Sequence, residues 1–75
     1  MATVSPVWCV TQVGETAGVI WRLLDACGPM SISRLVKETD APRDLVMQAL
    51  GWLAREEKID FEGESRTRLV TLRPF

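Results

Sequence analysis

Five donor side chains stand where they could grip a polyanion: Arg43, Gln48 and Arg55 within a stretch of helical periodicity, and Arg66 and Arg68 after the turn Glu62-Gly63-Glu64. Arginine and glutamine pair with base edges in the grooves of a duplex, and arginines on a projecting hairpin neutralise phosphates. That is the chemistry of binding, not of bond-making. Nucleophilic catalysis needs a base beside its nucleophile, and the chain has no histidine. Its carboxylates scatter over segments that read as solvated faces, including the charge run Arg55-Glu56-Glu57-Lys58. No enzyme is expected, and no cofactor is implied.

Metal and phosphate chemistry fare no better. Cys9 and Cys27 are too few for a disulfide framework, and a zinc site would need two further ligands, so both read as structural thiols. In "GETAG" the glycines Gly14 and Gly18 are four apart, but the lysine and hydroxyl of a phosphate-binding loop do not follow. They read as helix-start and close-packing positions.

Charge counts against strong DNA binding by one copy. The formal net charge is −1 and the pI about 5.3. From Arg43 onward, six basic residues (Arg43, Arg55, Lys58, Arg66, Arg68, Arg73) meet six acidic ones (Asp44, Glu56, Glu57, Asp60, Glu62, Glu64). Phosphate neutralisation supplies most non-specific affinity, so a monomer should hold a duplex weakly at physiological salt. Asp44 could accept from a cytosine amine, but a carboxylate facing a polyanion is unfavourable, and the helix dipole, which favours a carboxylate in a first turn, explains its position better. A pair of copies, each with Arg34, Lys37, Arg43, Arg66 and Arg68 on one side, would recover affinity.

The apolar residues point to a protein contact. Trp8, Trp21 and Trp52, with Met30 and Met47, exceed what a small three-helix core hides, and Met47 falls off the core stripe of its helix. Trp8 and Met47 are the interface candidates, for a homodimer or another protein partner. Alternatively the arm carrying Trp8 adds a strand to the sheet and covers the first helix.

The elements that would position these groups follow from periodicity. The chain is 75 residues long, 47% apolar and 25% charged, the composition of one small globular domain. No run nears the roughly 18 apolar residues of a membrane span, and no basic region precedes an apolar one at the N-terminus, so a cytoplasmic location without membrane association is expected. Residues 1–12, with Pro6 among valines, read as an N-terminal arm or strand, and residues 13–75 as the domain. A first helix spans Glu15 to Cys27 on the stripe Ala17, Ile20, Trp21 and Leu24, and stops at Gly28-Pro29. After an extended piece at 30–32 that could form a third strand, Ser33 is the expected N-cap of a two-turn helix carrying Leu35 and Val36. Asp40 is the expected cap of a third helix from about Ala41 to Glu57, with Pro42 in its first turn. Its stripe is Val46, Ala49, Leu50 and Leu53. A β-hairpin follows, Ile59 and Phe61 leading out and Leu69 to Leu72 returning.

This order predicts an α+β fold, a winged helix-turn-helix: a three-helix bundle with a C-terminal β-hairpin wing. "GETAGVIWRLLDACGPMSISRLVKE" followed by "ALGWLAREEKIDFE" resembles a small family of stand-alone bacterial and archaeal winged helix-turn-helix proteins of uncharacterised function. The resemblance covers roughly Gly14 to Leu72, and the segment before Val13 departs from it. It implies the fold and, by analogy, double-stranded DNA as partner. Two function classes are therefore carried forward: a DNA-binding protein that could regulate transcription, and a protein-interaction or dimerisation module that binds no DNA.

Overall fold

The computed structural model describes residues 9–63 and 68–73. It contains α1 (Val10–Cys27), β1 (Met30–Ser31), α2 (Ile32–Thr39), α3 (Arg43–Arg55), β2 (Ile59–Glu62) and β3 (Leu69–Leu72). The strands form one antiparallel sheet in the order β1-β3-β2. This is the winged helix-turn-helix arrangement, with α2 and α3 as the helix pair and β2–β3 as the wing.

Helix α1 begins at Val10, five residues before the expected Glu15. Val13 is buried one turn ahead of Ala17, so the core stripe runs Val13, Ala17, Ile20 and Leu24. The Gln12 side chain accepts from the Cys9 backbone N–H at 3.1 Å, satisfying a donor at the helix start. Val10 to Gln12, assigned to the arm on sequence, are helical. The other end is as expected: Gly28 takes φ 85° and its N–H donates to the Leu24 carbonyl at 2.9 Å. Trp21, placed on the buried stripe by its spacing, packs against the core edge and is only partly buried.

Both interhelical junctions differ from expectation by two residues. Ser31, not Ser33, caps α2, its Oγ accepting from the Arg34 N–H at 3.1 Å. Ser31 is already extended because it pairs with Leu69 in the sheet, and extended backbone is what an N-cap requires. Ser31→Ala should lower stability by about 0.5–1 kcal/mol, the modest end for a cap because the bond is exposed. Thermal unfolding with Ser33→Ala as control would measure it, and equal effects at both positions would contradict the assignment. Asp40 terminates α2 in the left-handed region, φ 55° and ψ 32°, rather than starting α3. Pro42, at φ −59° and ψ 145°, is the residue just before α3, where it gives up no helical hydrogen bond. The Asp44 carboxylate accepts from the Leu45 N–H at 3.0 Å.

Helix α3 ends two residues before the expected Glu57, in a crossed pair of hydrogen bonds. Lys58 N–H donates to Leu53 O at 2.9 Å and Glu57 N–H to Ala54 O at 3.0 Å, with Glu57 at φ 60°. That turn sends the chain into β2. Ile59 pairs with Leu72 and Phe61 with Val70. Arg73 closes the base of the wing: its N–H donates to Lys58 O at 2.9 Å, and its guanidinium meets Glu57 at 3.4 Å and Asp60 at 3.3 Å.

The core lies where the three helices meet the sheet. Ile20, Leu35, Val46, Leu50 and Val70 are its largest fully buried side chains, with Met30 and Ile59 beneath them. Val36, expected inside with Leu35, is only partly buried against this cluster.

Candidate nucleic-acid interface

The stripe Leu45, Val46, Ala49, Leu50 and Leu53 turns α3 inward, which forces Arg43, Asp44, Met47, Gln48, Gly51, Trp52 and Arg55 outward. All seven are exposed. At 3.6 residues per turn, Asp44, Gly51 and Arg55 fall on the centre line of this face, with Met47 on one side and Gln48 on the other. Arg43 and Trp52 mark its margins. The helix thus brings Arg43, Gln48, Arg55 and Met47 together on one surface, as their spacing predicts.

The wing contributes Arg68, exposed just before β3. Arg66 and Trp8 lie outside the described residues. The basic groups divide into two sets. Arg34 is 3.8 Å from Glu38, Lys58 is 3.6 Å from Glu56, and Arg73 holds Glu57 and Asp60. Arg22, Lys37, Arg43, Arg55 and Arg68 form no ion pair with another described residue, and of these Arg43 and Arg55 lie on the outward face of α3 and Arg68 on the wing. Among the described residues no carboxylate holds the guanidiniums of Arg43, Arg55 and Arg68.

Two features of the face are sharper in the structure than in the sequence. Trp52 reads as a flank of the buried stripe but is 37% exposed, comparable to Met47 at 45%. Its ring lies against α1, where an added Cβ at Gly14 would sit 3.9 Å from it, so one edge is covered and the other is free. Gly14 and Gly18 are both inside α1, not at its start. With Trp21 and Trp52 they line an open cleft of about 470 Å³ between α1 and α3. The charged residues at its rim, Arg22, Glu56 and Lys58, are all exposed, which leaves it without the convergent buried polar groups that orient a small ligand. Gly51 is the second feature: a Cβ there would touch nothing within 4 Å.

Cys9 and Cys27 are exposed free thiols, not packed structural ones. Among the described residues no helix is long and apolar enough to cross a membrane, and no three His, Cys, Asp or Glu side chains cluster as a metal site would require.

Residues 9–72, which span all six elements, match the family described as winged helix-turn-helix domain (DUF2582). The chain belongs to that family. A curated relative from Methanocaldococcus jannaschii, named as an uncharacterized protein, is 41% identical over 51 residues, covering 64% of this chain and 71% of its own. The winged helix-turn-helix assignment fixes α3 as the second helix of the motif and β2–β3 as its wing.

Proposed function

We propose that this winged helix-turn-helix domain binds double-stranded DNA and acts as a transcriptional regulator, with α3 in the major groove and the wing against neighbouring phosphates. One observation carries the reading. The outward residues of the motif's second helix from Arg43 to Arg55 are exposed, and its two arginines, like Arg68 on the wing, are not engaged by any described carboxylate. The two arginines are twelve residues apart, about 18 Å along the axis, enough to reach phosphates on both sides of a groove about 12 Å wide. Gln48, exposed on the same helix between them, would read a base edge. Asp44 on the same face selects against bulk phosphate, consistent with weak binding by one copy. This reading carries a cytoplasmic location with it.

Fluorescence anisotropy with a mixed-sequence duplex across a salt series is the test. Arg68→Ala, and Arg66→Ala likewise, should weaken binding equally for all sequences and lower the salt slope by about 0.9 per lost phosphate contact. Gln48→Ala should instead narrow the gap between preferred and random duplexes. Binding that none of the three changes would remove the proposal.

A second reading is favoured by Met47 and Trp52, exposed on the same face as the arginines. A protein contact along this face would cover both of them. On this reading the outward face of α3 holds a protein in place of DNA.

A further inference from the structure

We infer that a second copy of this chain docks on the outward face of α3, the two helices running antiparallel across a two-fold axis. The inference rests on the second reading above and names the partner and the register. Its basis is that the face is complementary to itself. Asp44 and Arg55 are eleven residues apart, close to three full turns, so both lie on the centre line at opposite ends. A two-fold axis level with the midpoint between Ala49 and Leu50 sets Asp44 of each copy beside Arg55 of the other. Parallel helices would instead oppose Asp44 with Asp44 and Arg55 with Arg55, which like-charge repulsion disfavours. The charges therefore choose the direction.

The same axis disposes of the apolar groups. Met47 of one copy comes within one residue's rise, about 1.5 Å along the axis, of Gly51 of the other, on the same lateral side of the contact. A Cβ at Gly51 would meet nothing in its own chain, so the position is an open notch that a thioether can enter. On the opposite side Trp52 comes within the same one-residue offset of Gln48 of the second copy, whose methylenes and amide can cover the free edge of the indole. The two large exposed apolar side chains of α3 are both covered by this one arrangement. A closed two-fold contact of this kind uses one patch twice and leaves no open end for further growth. It also buries the face that a duplex would occupy, so pairing and DNA binding exclude each other.

The test is sedimentation equilibrium of the full chain under reducing conditions, so that exposed Cys9 and Cys27 do not contribute covalent dimers. Asp44→Arg and Arg55→Asp are prepared as separate variants and also mixed in equal amounts. Alone, each sets like charges opposite one another at both ends, and its dimer should dissociate at least about tenfold more readily than the wild type. In the mixture every end pairs opposite charges, so a dimer of one copy of each should reappear. Because neither variant needs to be restored within its own chain, recovery on mixing is independent of any effect on folding.

A wild-type chain that stays monomeric at all concentrations overturns the inference, as does a mixture no more associated than its parts. Met47→Glu in the same assay separates the two levels of the claim. A dimer indifferent to the charge changes but lost on Met47→Glu overturns the antiparallel register and keeps α3 as a protein contact. Indifference to all three variants overturns both.

Discussion

Leu50→Ala is expected to remove about 3–4 kcal/mol of folding stability, the cost of truncating a fully buried leucine. Leu50 is 1% exposed and shares its cluster with Ile20, Leu35, Val46 and Val70, drawn from all three helices and the central strand. Truncation leaves a void that no single element can close by shifting, because each neighbour is anchored elsewhere. A chain of this length is stabilised by roughly 4–11 kcal/mol in total, so the loss is about a quarter of the margin or more. Met47→Ala, on the same helix with nearly half its surface exposed, should stay within about 0.5 kcal/mol. The urea midpoints of the two variants, compared at unchanged m-value, measure the contrast. A Leu50→Ala midpoint as close to wild type as that of Met47→Ala would mean that α3 is not seated as described.

The contrast between Leu50 and Met47 was legible in the sequence because helical periodicity sorts residues by face without any tertiary information. The stripe Val46, Ala49, Leu50 and Leu53 fixed which side of α3 faces water, and with it the outward placement of Arg43, Gln48 and Arg55. The stop at Gly28-Pro29 was equally local. What escaped was decided by partners distant in sequence. Ser31 and Ser33 are chemically equivalent caps, and only the pairing of Ser31 with Leu69 selects the first. Asp40 looked like the start of α3, yet it serves to end α2. The start of α1 was hidden because Val10 and Val13 are β-branched and follow Pro6, a local bias toward extended chain that burial of Val13 overrides. Exposure of Trp52 depends on how far α1 overlaps it. The division of arginines and lysines into paired and unpaired depends on the register of the wing, which sets Asp60 within reach of Arg73.

Gly51→Ala should make the protein more stable and less able to pair with itself. Glycine inside a helix costs about 1 kcal/mol relative to alanine, through the backbone freedom it retains when unfolded. Nothing lies within 4 Å of the position a Cβ would take, so the methyl brings no clash within the chain. A gain of about 1 kcal/mol corresponds to a melting temperature about 4–8 °C higher for a domain of this size. The chain thus carries a destabilising residue at the centre of an exposed face, where its own fold has no use for the space. A contact from outside does have a use for it. If Met47 of a second copy occupies the notch, the added methyl overpacks the contact and should weaken self-association by about 1–3 kcal/mol, roughly five- to hundredfold. The major groove accommodates a methyl group, so the same variant should bind a duplex at least as well as the wild type, and better wherever pairing competes for α3. Melting by calorimetry, self-association by sedimentation and duplex binding by anisotropy, all on Gly51→Ala, give three readings whose signs differ. Raised stability with self-association unchanged would leave the notch without a role in pairing and sink the proposed register. Raised stability with weakened duplex binding would mean that the close approach permitted by Gly51 serves DNA, and that the face belongs to the groove.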